Sequence, residues 1–203
     1  MSKQIGMFKP KSEWLPPQEF KDIKDAKRIA IDLETKDPNI TSKGPGWATN
    51  DGNIIGVAVA VDGWEGYYPI RHENSFNFDP IVTLDWLKEM LSTDCDKIAH
   101  NATYDFGWLQ AEGVSWNGRI IDTMIAAPLV DENKYSYSLN ALSKEYLADS
   151  KSEWGLYEAA AQFGVDAKSE MYKMPATFVG EYAEQDAALC LRLWDRLQEE
   201  VTK

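Results

Sequence analysis

Apolar and polar positions alternate in the first third of the chain and then settle into helical spacing. Arg28-Ile29-Ala30-Ile31-Asp32-Leu33-Glu34-Thr35 opens with β-branched and small apolar residues, the pattern of a strand buried on at least one face. Asn53 to Val61 (NIIGVAVAV) is a second strand, Asp62-Gly63 a turn, and Trp64 to Ile70 the return strand of a hairpin. From Asp79-Pro80 the period changes: Ile81, Leu84, Leu87 and Leu91 recur at spacings of three and four, with Pro80 suited to a first turn. Asp96 to Asn101 (DKIAHN) reads as a short strand running into a helix over Ala102 to Glu112, with Tyr104, Trp108 and Ala111 on one stripe and Gly113 as its stop. Arg119-Ile120-Ile121 is the last strand, and Asp122 is placed to cap a helix starting at Thr123. Helical periods follow over Leu139 to Leu147 and Trp154 to Phe163, broken by Ser150-Lys151-Ser152 and by Gly164. The longest helix, Thr177 to Glu200, carries a seam of Val179, Ala183, Ala187, Cys190, Leu191, Trp194 and Leu197. Strands first, then helices alternating with strands, imply an α/β fold with a mixed sheet flanked by helices.

Two stretches lack a period. Residues 1–25 read as an extended or loosely docked leader with a short helical turn near Pro17 to Lys24, leaving a single domain over 26–203. Thr35 to Asn53 collects Pro38, Gly44, Pro45, Gly46 and Gly52, which is loop chemistry. This loop begins at the feature that patterning cannot explain: Asp32 and Glu34, two apart on a strand, share a face about 6.6 Å apart along it. Two like charges there need something positive between them, unless one caps the next element and the other is solvated.

Composition narrows the choices. With 203 residues, 44% hydrophobic content and eight Trp, nine Tyr and seven Phe, the chain has material for a core. No apolar run approaches the ~20 residues that cross a bilayer, and the N-terminus has Lys and Pro where a signal peptide needs an apolar core, so a soluble, unexported, cytoplasmic or nucleoid-associated protein is expected. Cys95 and Cys190 lack metal-ligand spacing and read as packing residues. A net charge of −12 argues against broad electrostatic binding of nucleic acid, although acids gathered around divalent cations can still present a locally neutral site to a short strand.

Three further groups matter beside the Asp32/Glu34 pair. Asp105 lies early in the helix after DKIAHN, where the helix dipole favours an acid, and Asn101 precedes it by four. Tyr182 and Asp186, four apart on the last helix, share a face flanked by the small residues Ala183 and Ala187. Each has an ordinary structural explanation taken alone. Jointly, AIDLET, HNATYD and YAEQDA resemble the three motifs of the DEDD 3′-5′ exonucleases, which have a ribonuclease-H-like fold. The tyrosine four before the last Asp marks the tyrosine branch, since the position that holds histidine in the other branch is here Glu181. IDTMIAAPLV and YSLNALSKEYL are similar to proofreading domains of family A DNA polymerases, and the likeness runs from about Ile29 to Trp194.

The resemblance implies a mixed five-stranded sheet with helices on both faces and a two-metal phosphodiester hydrolase. All-oxygen ligands suit Mg²⁺ or Mn²⁺. Asp32, Glu34 and Asp186 would hold one cation; Asp32 would face a second, completed in its outer shell by Asp105. Tyr182 would orient the attacking water, while Thr35, Asn101 and Tyr104 would touch the terminal nucleotide. His100 is read as structural. The implied substrate is a single-stranded DNA 3′ end, and the implied partner a DNA polymerase in cis or in trans, with the chain itself a monomer. Two alternatives stand: an RNA-trimming exonuclease of the same branch, and a non-catalytic module that binds strand ends or a polymerase.

Overall fold

A computed structural model describes residues 12–149 and 153–201; the Ser150-Lys151-Ser152 break and residues 1–11 of the leader lie outside them. Five strands form one mixed sheet: β1 (Arg28–Lys36), β2 (Asn53–Val61), β3 (Trp64–Pro69), β4 (Asp96–Ala99) and β5 (Ile120–Asp122), in the order β3-β2-β1-β4-β5. The hairpin β2/β3 and the pair β1/β2 are antiparallel, whereas β4 and β5 run parallel to β1. The helices are α1 (Ile40–Lys43), α2 (Gly46–Thr49), α3 (Pro80–Leu91), α4 (Ala102–Ala111), α5 (Thr123–Val130), α6 (Leu139–Tyr146), α7 (Trp154–Phe163) and α8 (Gly180–Val201).

Strand alternation divides the interior into two cores. Ile29, Ile31, Leu33, Val57 and Val59 face α3 and α4, packing with Leu87, Leu91, Phe106 and Leu109. On the other face Ala30, Ala58 and Ala60 meet α5 to α8, including Ala183, Ala187 and Leu193. The alanines matter because small residues on both sides let the long helix α8 lie close to the central strand. Asp32 and Glu34 continue the Ala30 series, so period two turns both toward α8.

Several elements differ from the sequence reading. The loop after β1 contains the helical turns α1 and α2. Gly46 N donates to Asp37 Oδ2 at 2.9 Å. A Cβ at Gly46 would lie 2.9 Å from the Trp108 ring, so this loop is packed onto α4. Ile81, expected in the buried stripe of α3, is 73% exposed, because that first turn lies off the core face while Leu84, Leu87 and Leu91 are inside. Ala111 is likewise exposed; α4 buries Asp105, Phe106, Trp108 and Leu109.

The described part of the leader is extended, but firmly docked and without the helical turn at Pro17 to Lys24. Phe20 stacks on Tyr68 at 5.2 Å, Ile23 is 4% exposed, and Trp86 Nε1 donates to the Lys21 carbonyl at 3.0 Å. Trp14 covers Gly180 at the start of α8. Aromatic surface inside the sheet thus finds its cover in a segment whose own sequence shows no period.

Candidate active site

β1 and β4 pair only as far as Ala30 opposite Ile98, after which the chain leaves β4 for α4. The turn is made at Asn101, which takes φ 69° and ψ 52°, a left-handed conformation that Asn tolerates better than most residues. Asp122 stabilises it: its Oδ1 accepts from Asn101 N at 3.0 Å and its Oδ2 from Ala102 N at 2.8 Å. The same Oδ1 accepts from Met124 N at 2.9 Å, the cap expected for α5. This places α4 so that Asp105 Oδ1 accepts from Leu33 N at 3.0 Å, a β1 amide beyond the reach of β4.

Asp105 is therefore tied to the backbone between Asp32 and Glu34. It is 4% exposed, and burial pushes its carboxyl well above the usual range; the charges of Asp32 and Glu34 push the same way, against the stabilising Leu33 N–H. From the other side α8 brings Tyr182, 8% exposed, and Asp186, 3% exposed. The Tyr182 phenol is pushed far up by burial, then by the charges of Glu34, Asp186 and Asp32, and it hydrogen-bonds Asp186. All five side chains singled out for chemistry thus share one electrostatic environment at the end of β1. Among the described residues no group of three or more His, Cys, Asp or Glu is placed so that it could hold a metal ion. The donors present nonetheless fit a hard divalent cation: they are carboxylates, two of them buried, and their mutual repulsion is what such an ion relieves.

The residues expected to meet the nucleotide are arranged less uniformly. Thr35 Oγ1 and the Tyr104 hydroxyl share a hydrogen bond at 2.7 Å, and Tyr104 also donates to Asp37 Oδ2 at 3.0 Å. Burial, with a smaller push from Asp37 and against the Thr35 hydrogen bond, raises the Tyr104 phenol to about 12, so it stays protonated. Thr35, Tyr104 and Asp37 thus form one hydrogen-bonded cluster, and Asn101, at the start of α4, is exposed. His100, read as structural, hydrogen-bonds Thr123 Oγ1 at 2.9 Å. Cys190 is buried 3.6 Å from the same hydroxyl.

Sequence patterning missed two participants. Asp37 anchors both the Tyr104 hydroxyl and the loop amide of Gly46. Tyr67 and His72 form a buried pair, hydroxyl to Nε2 at 2.6 Å, and the Tyr67 phenol feels Glu34 and Asp32. Position alone could have suggested Asp37, two residues past Thr35 and ahead of the Gly-rich loop; nothing local marks Tyr67.

An α/β sheet of this order, with acids from the central strand, the β4–α4 junction and the last helix meeting at one end, defines the ribonuclease-H-like exonucleases as a class. Solved structures agree on the fold: Trypanosoma brucei RNase D aligns with TM-score 0.64 and 18% identity over 86% of this chain and 58% of its own. Brucella melitensis NrnC bound to pGG aligns with TM-score 0.61 and 20% identity over 89% and 76%. Residues 16–202 match the 3′-5′ exonuclease family of the family A DNA polymerases, and the chain belongs to that family. A DNA-directed DNA polymerase of Pseudomonas phage M6 is 35% identical over 94% of this chain and 30% of its own length. DNA polymerase DpoZ of Salmonella phage PMBT28 is 30% identical over 91% and 28%. The chain spans less than a third of the length of these relatives.

Proposed function

We propose that this chain is a two-metal 3′-5′ exonuclease that removes nucleotides from single-stranded DNA 3′ ends, in the manner of polymerase proofreading. The supporting observation is that Asp105 on α4 and Tyr182 on α8 both feel the charges of Asp32 and Glu34, and Tyr182 that of Asp186 as well, although Asp32 and Asp186 are 154 positions apart. Asp32, Glu34 and Asp186 would hold one Mg²⁺ or Mn²⁺ and Asp32 would face a second, with Asp105 in its outer shell; when bound, these ions supply charge to activate water and to stabilise the leaving oxygen. In the hydrolysis itself the water oxygen bonds to the terminal phosphorus and the bond from phosphorus to the 3′ oxygen of the penultimate nucleotide breaks. That oxygen takes up a proton, a water proton is lost to solvent, and a nucleoside 5′-monophosphate leaves. Tyr182, protonated at any physiological pH, orients the water by hydrogen bonding and is no base.

Thr35, Asn101 and Tyr104 would hold the last nucleotide; the hydrogen bond between Thr35 and Tyr104 supports placing these two together. Aromatic contact tolerates any base, which suits an enzyme that reads a frayed end. DNA is favoured over RNA because the relatives above are DNA polymerases, and their greater length supports a polymerase partner in cis or in trans. The test is digestion of paired 5′-labelled DNA and RNA oligonucleotides with Mg²⁺. DNA is expected to shorten stepwise, and Asp32→Ala to slow it by more than about 100-fold. Equal rates for parent and variant refute the reading. Calorimetric Mn²⁺ binding that exceeds that of Asp105→Ala separates the enzyme from a non-catalytic module.

A further inference from the structure

The connection between α7 and α8 holds a lysine that reaches the hydroxyl of Tyr182. Lys168 sits in a turn organised by Asp166, whose Oδ1 accepts from Lys168 N at 3.0 Å and from Ser169 N at 2.8 Å. Ala167 anchors the turn in the core at 3% exposure. From there Lys168 Nζ donates to the Tyr182 hydroxyl oxygen at 2.6 Å and stands 4.2 Å from the ring centroid. It also pairs with Glu153 Oε1 at 3.1 Å.

An ammonium has donors and no acceptor, so the Tyr182 oxygen must accept from it, and the phenolic proton must point elsewhere. Asp186 is the hydrogen-bonding partner that can take this proton. The hydroxyl is thereby held between a cation outside the pocket and the acids inside it. A rotor free in solution is fixed with its proton toward the carboxylates. The Glu153 pair does not explain the placement of Lys168, since its side chains are 44% and 30% exposed and such pairs add little. The cation over a nearly buried tyrosine ring is the more specific contact.

We propose that Lys168 is a positioning residue for the exonuclease reaction, donating to the Tyr182 oxygen so that the phenolic proton faces the acid pocket where water attacks. The proposal rests on the exonuclease reading above. Because much of the Lys168 side chain is in water, Lys168→Met is expected to fold and melt as the parent does.

Two measurements test it. In metal-free protein labelled with ¹³C-tyrosine, the Tyr182 resonance, identified by its loss in Tyr182→Phe, is expected to move in Lys168→Met; an unmoved resonance overturns the contact. In DNA digestion, Lys168→Met is expected to lose about tenfold in kcat with KM within about twofold, and Lys168→Arg to recover at least about half of the loss. The double variant Lys168→Met/Tyr182→Phe is expected to be no slower than Tyr182→Phe alone, because the lysine acts through that hydroxyl. Losses that multiply overturn the role, as does a Lys168→Met as fast as an active parent. A parent that does not cut sinks the exonuclease reading itself, and the role of Lys168 with it.

Discussion

At the scale of single residues, the site gathers polar groups where water does not reach, and His72 shows the consequence most cleanly. Its Nδ1 lies 2.9 Å from the Met174 carbonyl, which can only accept, so Nδ1 carries the proton and Nε2 accepts from the Tyr67 hydroxyl. Burial holds this neutral imidazole at a pKa of about 4, with the Met174 contact opposing. An unfolded histidine protonates near 6.5, so between those values the unfolded chain binds the extra proton and the folded one does not. Stability from this group is complete above pH ~6.5 and lost as the pH falls toward about 4. Relative to His72→Gln, the parent is expected to lose on the order of 3 kcal/mol across that window in urea melts at stepped pH. Parallel curves would show that His72 is hydrated or already charged. The loss bears on the site, because Tyr67 reaches from this pair toward Glu34 and Asp32.

At the scale of elements, the decisive feature is an irregularity in β2. Glu34 pairs with Gly56 and Thr35 with Ile54, which leaves Ile55 without a β1 partner. The Ile55 carbonyl accepts instead from Ile70 N at 2.8 Å and Arg71 N at 3.0 Å. Such a bulge shifts the alternation by one: Ile55 joins the α8-side core, while Val57 and Val59 face α3 and α4. Gly56, opposite Glu34, leaves room for the Tyr67 hydroxyl, which would lie 2.0 Å from a Cβ built there. Tyr67 is fully buried and cannot withdraw. Gly56→Ala is therefore expected to cost about 1–3 kcal/mol in urea unfolding and to lower exonuclease rates by displacing Glu34. An unchanged midpoint and rate would mean that β2 shifts to absorb the methyl group. The alternation of NIIGVAVAV announces the strand but hides the bulge, because an extra residue in an apolar run leaves no local mark.

At the scale of the whole molecule, charge and extent set what the chain can do by itself. A net charge of −12 repels phosphate, so the binding of single-stranded DNA is expected to be local to the pocket. Measured between 50 and 200 mM salt, log(1/KM) against log[salt] is expected to have a slope no steeper than about −2, or roughly three phosphates at −0.7 each. A slope near −5 would reveal an extended basic track. The polymerase partner proposed above would supply the remaining affinity. Among the described residues no helix is long and apolar enough to cross a membrane, in line with the hydropathy of the chain.

What was legible in the sequence was what repeats or recurs locally. The period-two and period-3.6 runs marked the five strands and the main helices, and the family resemblance carried by AIDLET, HNATYD and YAEQDA singled out side chains that the fold brings within one another's electrostatic reach. What remained hidden depended on groups distant along the chain: the docking of Trp14 and Phe20, the slip at Ile55, the Tyr67–His72 pair, Asp37 under Tyr104 and Lys168 on Tyr182. A sequence carries its periodicities because each residue obeys its own helix or strand geometry. Contacts between segments dozens of residues apart are decided by how sheet and helices pack, and only the folded chain brings those partners within hydrogen-bonding distance.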